Sequence, residues 1–397
     1  MVVFLNFSSS GSIGNIIRNL SFLLKKDRED CLNAYAGNAK TNPDDYIICN
    51  EKGRTLHKGL SYLTGLEGCF SFFSTLRFLN KLQQVKPDII HIHNLHGWYI
   101  NLFLLFHFLK KHPEIHPVWT LHDCWAFTGH CPHYEKEKCE KWISGCHNCC
   151  KHLQYPKSYP DNSRLMYSIK KKLFTGLDEL TIVTPSEWLC RQMKQSFLKQ
   201  YPVRVINNGI DLSIFKPTKS DFRKRYGLEN KFIILGVGSI WNYSKGLDVF
   251  VELSSKLPDK YQIILVGTNE KIESQLQDNV ISIRKTNNQT ELAEIYSSAD
   301  VFLNPTREDT FPTVNIEALA CGTPVITFFT GGSPEILTET CGKVITNKDV
   351  PSIIEAIKDL EHSRISPQEC VTRAKEFDMN VKLIEYLNLY SDLRRRT

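Results

Sequence analysis

The sequence predicts an α/β protein of two doubly wound, Rossmann-like domains, each with a largely parallel sheet, and three observations carry that expectation. At 397 residues the chain exceeds one ordinary core, which implies two domains of roughly 150–200 residues each. Short β-rich runs alternate with helical patterns throughout, the pattern of parallel sheets covered by helices. These runs fall into two sets separated by VRVINNGIDLSIFKP (203–217), where Asn-Gly, Asp and Pro interrupt the periodicity and mark an inter-domain crossing.

The first set places strands at 2–7, 88–93, 117–122 and 180–185, and the second at 231–239, 261–267, 300–305 and 323–328. The expected limits are 1–205 for the first domain, with a cysteine-rich insertion at about 124–150, and 206–372 for the second. Residues 373–397 read as a terminal helix that packs back on the first domain.

With 42% hydrophobic and 23% charged residues the chain is of globular composition. A net charge of +6 suits contact with phosphates or an anionic membrane. Lys and Arg are dispersed and no nucleic-acid motif occurs, which argues against a nucleic-acid-binding module. The opening MVVFLNFSSSG lacks a basic leader, and the apolar run at 98–109 falls short of a bilayer span of roughly 20 residues. The expectation is a cytoplasmic protein. The basic helix SIKKKLF (168–174) and the terminal RRR are candidates for peripheral contact with the inner face of the cell membrane.

Glycine- or acid-bearing loops follow several strands. After the first strand, SSSGSIGNII lets the backbone turn at Gly11 and Gly14 and offers helix amides to an anion, without the third glycine of the dinucleotide fingerprint. In TLHDCWAF, His122 and Asp123 follow a buried strand, at the sheet end that lines ligand crevices. His91, His93 and His96 are read as structural. In GVGSIWNYSKGLDVF, Lys245 stands just ahead of a helix start, where the dipole repels a cation unless an anion compensates. In DTFPTVNIE, Asp309 lies in a loop, Pro312 opens a helix and Glu317 sits about a turn inside it. Main-chain amides from Phe311 to Val314 could take a phosphate there, with the two acids accepting hydrogen bonds from sugar hydroxyls. TGGSPEIL adds Gly331 and Gly332 after another strand. Recurrence of such loops in both domains points to one cleft for a nucleotide-linked compound.

Together these stretches resemble the family-4, group 1 retaining glycosyltransferases of GT-B architecture. DTFPTVNIEALACGTPVIT is similar to the family's E-x7-E segment, preceded by SKGLDVF and followed by GGSPEI. GSIGNII, DIIHIHNLHGWYIN and TLHDCWAFTGHC resemble a bacterial branch that builds capsule, exopolysaccharide or O-antigen. The resemblance implies a nucleotide diphosphate sugar donor, a glycan or polyprenyl-diphosphate-linked acceptor, and no metal for catalysis. It implies that Asp309 meets the transferred sugar, Glu317 the ribose and Lys245 the diphosphate, helped by main chain near Gly14 and Phe311. His122 would lie beside the anomeric carbon, and Gly331 and Gly332 would shape the donor side. Asp309 stands where the family usually has Glu, with Glu308 adjacent; Ser239 and Ser244 occupy positions where an arginine often accompanies the lysine; Asn15 replaces a frequent arginine. A 2-epimerase or hydrolase on the same architecture is the closest rival.

Cys131, Cys139, Cys146 and Cys149 form a dense cluster in which the last two have C-x2-C spacing. They are candidate ligands of a structural zinc, with reduced thiols or a disulfide as the alternatives.

Overall fold

In the computed structural model, which describes residues 1–37, 43–363 and 365–395, the strands form two sheets. Seven strands in the order β3-β2-β1-β4-β5-β6-β7 make the first. They are β1 (Val2–Asn6), β2 (Cys31–Ala36), β3 (Tyr46–Cys49), β4 (Ile89–Ile92), β5 (His116–Thr120), β6 (Thr181–Thr184) and β7 (Val203–Val205). Six in the order β10-β9-β8-β11-β12-β13 make the second. These are β8 (Phe232–Val237), β9 (Tyr261–Val266), β10 (Val280–Ile283), β11 (Val301–Asn304), β12 (Val325–Phe328) and β13 (Gly342–Ile345). Every strand pairing among the described residues is parallel.

Parallel strands are covered on both faces, so their sequences are continuous apolar runs. Val2, Val3, Phe4 and Leu5 of β1 are all solvent-free, as are Ile89, Ile90 and Ile92 of β4. Burial of each such side chain stabilises the fold by about 1.5–3 kcal/mol. The eight expected strands form, and β2, β3, β7, β10 and β13 join them; β7 lies inside the stretch read as a crossing.

Two compact units result: Met1–Ile206 together with the chain from Leu383 onward, and Asn207–Lys382. Residues 373–382, expected with the terminal helix, group with the second unit. The helix Met379–Arg394 joins the first unit through Tyr386, Leu389, Tyr390 and Leu393, all buried. Arg394 pairs with Asp88 and Glu29. Part of the basic tail is thus bound to the protein itself. Lys170, expected on a basic surface, is buried, whereas Lys171 and Lys172 are exposed. Among the described residues no helix is long and apolar enough to cross a membrane.

Candidate functional site

β8 and β11 are neighbours at the point where the second sheet reverses its order. Open parallel sheets bind ligands outside the carboxyl ends of the strands at such a point. The loop after β8 ends in a 3-10 turn, Tyr243–Lys245, ahead of the helix Leu247–Lys256. Asn242 caps that turn, its Oδ1 accepting the Lys245 N–H at 3.0 Å. Gly246 has φ 76°, and a Cβ there would stand 2.5 Å from Cγ of Pro305 in the loop after β11. Only glycine permits this approach of the two loops. Arg307 then ties them: it donates to both carboxylate oxygens of Asp248 at 2.8 Å and to the Tyr243 carbonyl at 2.6 Å. The result brings Lys245 Nζ to 2.8 Å from Asp309 Oδ2. Asp309 is therefore the anion that a lysine before a helix start requires.

Asp309 Oδ1 also accepts the Phe311 N–H at 3.2 Å, so this amide is engaged by the acid. The Phe311 ring is buried and meets Phe377 edge-on at 5.6 Å between centroids, which anchors the loop. The neighbouring acid Glu308 is buried, while Asp309 holds the lysine. Pro312 caps the helix Thr313–Ala320 rather than lying within it. On that helix Glu317 is half-buried and accepts from the Tyr296 hydroxyl at 3.1 Å. Burial pushes its carboxyl up to about 7, against the lowering effect of hydrogen bonds from Tyr296 and Thr313. Gly331 has φ 51° and Gly332 caps the short helix Ser333–Ile336 after β12.

In the first unit the corresponding reversal lies between β1 and β4. The helix after β1 begins at Gly11, φ 78°, so Gly14 is already inside its first turn and not in a loop. A Cβ on Gly14 would collide with the Ser9 main chain. Its role is close packing of the loop on the helix. Arg18 reaches back to the Ser9 carbonyl and to Asn15, so an arginine serves this loop although position 15 has none.

His122 follows β5, and its Nε2 lies 2.9 Å from Nδ1 of His93, which follows β4; the rings stack with planes 13° apart. Burial lowers the His122 pKa to about 4 and holds that of His93 well below its ordinary value, so both are neutral at pH 7. Asp123 Oδ2 lies 2.9 Å from His96 Nε2, and the Tyr155 hydroxyl is 2.7 Å from His96 Nδ1. Burial raises the Asp123 pKa, but the charge and hydrogen bond of His96 outweigh it and hold it at about 2. A neutral histidine pair thus adjoins a hydrogen-bonded His–Asp pair, and the histidines read as structural are the ones that support His122 and Asp123.

Cys131, Cys139, Cys146 and Cys149 line one small cavity. Among the described residues, however, no group of three or more His, Cys, Asp or Glu side chains is arranged to hold a metal ion, and all four are free thiols. The thiols find other partners: Cys146 Sγ accepts the Gly129 N–H at 3.1 Å, and Cys131 hydrogen-bonds to Cys149, which lowers the Cys149 pKa to about 7.

The description Glycosyltransferase Family 4 matches residues 46–214, and Glycosyl transferases group 1 matches residues 218–377. The chain belongs to the group 1, family 4 glycosyltransferases. This glycosyltransferase is 26% identical over 322 residues to the Escherichia coli K12 protein named as the colanic acid biosynthesis glycosyl transferase WcaC, covering 77% of each chain. It is 25% identical over 214 residues to the Campylobacter jejuni N,N'-diacetylbacillosaminyl-diphospho-undecaprenol alpha-1,3-N-acetylgalactosaminyltransferase, covering 50% of this chain and 56% of that one. In fold it is similar to sucrose-phosphate synthase of Thermosynechococcus elongatus, with a TM-score of 0.70, 17% identity and coverage of 100% and 99%. Anabaena HepE, solved in complex with UDP, gives 0.67 at 14% identity, with coverage of 98% and 99%. The two sheets are the Rossmann-like domains of the GT-B fold.

Sequence reasoning missed three supports of the candidate site. Arg307 and Asp248 are far apart in the chain, and only the proximity of β8 and β11 makes them a pair. Tyr296 reaches Glu317 from another helix. The His93–His122 contact had a signal, since both residues follow the ends of adjacent strands β4 and β5.

Proposed function

We propose that the enzyme transfers a hexose-type sugar, with retention, from a nucleotide diphosphate sugar to a glycan or polyprenyl-diphosphate-linked saccharide in bacterial surface polysaccharide synthesis. The observation that carries this reading is the Lys245–Asp309 pair at the strand-order reversal of the second sheet, with Glu317 on the helix that directly follows the Asp309 loop. Lys245 takes the diphosphate as a point charge, which releases Asp309 to accept from a sugar hydroxyl. Glu317 accepts from ribose hydroxyls. Gly14, Phe311, Gly331 and Gly332 shape the backbone that receives the donor.

The bond between the anomeric carbon and the diphosphate oxygen breaks, the acceptor oxygen bonds to that carbon on the same face, and the departing phosphate oxygen takes the acceptor proton. No separate base is needed. Lys245 and the helix amides stabilise the departing charge, and His122 acts on the transferring sugar as a neutral polar group. Exposed Lys171 and Lys172 favour peripheral contact with an anionic cytoplasmic leaflet, where a lipid-linked acceptor resides.

The test supplies UDP-, GDP- and dTDP-hexoses with and without a polyprenyl-diphosphate-linked N-acetylhexosamine, and follows nucleotide release and the product anomer by NMR. Acceptor-dependent release with the donor's anomeric configuration supports the reading. Equal turnover without acceptor identifies a hydrolase or epimerase instead.

A further inference from the structure

We propose that His93 is a positioning residue that holds His122 in the tautomer protonated on Nδ1. The functional meaning of this inference rests on the role of His122 proposed above, but the tautomer itself does not. His93 is 1% exposed, and its two ring nitrogens have different surroundings. Nδ1 lies 2.9 Å from His122 Nε2, whereas Nε2 meets no hydrogen-bond partner among the described residues. Two neutral imidazoles share one hydrogen bond, so one donates and the other accepts. If His122 donated, the proton of His93 would sit on Nε2 as an enclosed N–H without an acceptor. If His93 donates, Nε2 keeps only a bare lone pair. Orphaned buried donors are the rarer and costlier of the two, so His93 donates. His122 Nε2 is then the acceptor, and its proton is on Nδ1.

The surroundings of His93 prevent the ring from turning out of this contact. Trp119 Nε1 donates to the His93 carbonyl at 3.0 Å. His91, two residues earlier on the same strand face, packs on the His93 ring at 4.1 Å between centroids. The His91 ring is in turn fixed at both nitrogens, by the Tyr390 hydroxyl at 2.6 Å and Thr120 Oγ1 at 2.8 Å. The terminal helix therefore braces, through Tyr390, the histidine layer that sets His122. The chemical consequence is specific: with Nδ1 protonated and Nε2 accepting from His93, His122 has no free basic lone pair. It can stabilise negative charge or bind a sugar oxygen, and it cannot take the acceptor proton.

The experiment is a two-bond 15N–1H correlation of 15N-histidine-labelled protein at pH 7.5, with the His122 signals assigned by their loss in His122→Asn. A protonated Nδ1 and bare Nε2 on His122 are expected; a protonated Nε2 overturns the assignment. His93→Leu removes the donor and should give His122 a mixture of tautomers, while His93→Asn, which sets an amide N–H near the same place, should restore the wild-type pattern. An unchanged pattern in His93→Leu overturns the positioning role. If His93→Leu fails to fold, the wild-type spectrum still decides the tautomer. Normal sugar transfer by His122→Asn alongside a protonated Nδ1 would refute the proposed role of His122 and leave the tautomer standing.

Discussion

Lys245 and Asp309, 64 residues apart in the chain, form an ion pair of 2.8 Å whose side chains remain 41% and 22% exposed. A pair this open is screened by water and adds little to stability, about 0–1 kcal/mol. Asp309→Asn should thus melt within about 4 °C of wild type by differential scanning calorimetry. A loss of roughly 10 °C or more would make the pair a structural anchor instead of a poised ligand contact.

Glu317 makes stability fall with pH. Its folded pKa of about 7 exceeds the ordinary 4.5, so between these values the folded protein binds a proton that the unfolded chain has released. The contribution is fully present below pH 4.5 and is lost as pH rises through 7. Because Glu317 is only half-buried, solvent reduces the effect to about 1–2 kcal/mol. Glu317→Gln should exceed wild-type stability by that amount at pH 8 and show no such gain at pH 4.5, read from urea denaturation at both values.

Lys170 has the opposite sign. Burial lowers its pKa from 10.5 to about 7, despite the nearby Glu67 carboxylate. Its Nζ donates to the carbonyls of Trp125 at 2.8 Å and Thr128 at 3.2 Å, and sits 3.4 Å over the Trp125 ring. The unfolded chain holds the proton to higher pH, so this group adds stability as pH rises from 7 towards 10. Wild type should gain about 2–3 kcal/mol on Lys170→Met between pH 7 and 9. Parallel denaturation curves across that range would contradict it.

The thiol cluster gives a chemical prediction. With its pKa lowered to about 7 by the Cys131 hydrogen bond, Cys149 should be alkylated by iodoacetamide with a midpoint near pH 7, while buried Cys131 resists. Peptide mass spectrometry reads both. Stoichiometric zinc in the purified protein that protects Cys149, and is lost in Cys146→Ser, would instead establish the cluster as a structural metal site.

The strands legible in the sequence are those with continuous apolar runs, such as VVFLN of β1 and FIILGV of β8, whose faces are both covered. β3, β7, β10 and β13 are edge strands of three or four residues with one neighbour each, and so carry weak patterns. β2 is internal, yet its CLNAYA contains Asn33, which is held by Ser21 and Asp45 side chains and has no apolar signature. In the candidate site, the stretches that carry Lys245, Asp309 and Glu317 were legible because loops at strand ends announce themselves locally. Arg307 with Asp248 was not, because strand adjacency and not spacing creates the pair, and His93 with His122 left only the signal of two histidines that follow successive strands. Gly14 was placed in a turn because a glycine inside a helix looks the same in sequence as one before it.

The most direct test of donor binding is titration calorimetry with UDP-, GDP- and dTDP-hexoses on wild type, Lys245→Ala and Asp309→Ala. Loss of a charge-assisted contact worth about 1.5–3 kcal/mol predicts that one nucleotide sugar binds wild type about 10–100-fold more tightly than either variant. The same affinity in all three proteins would contradict the assignment of this pair to the donor.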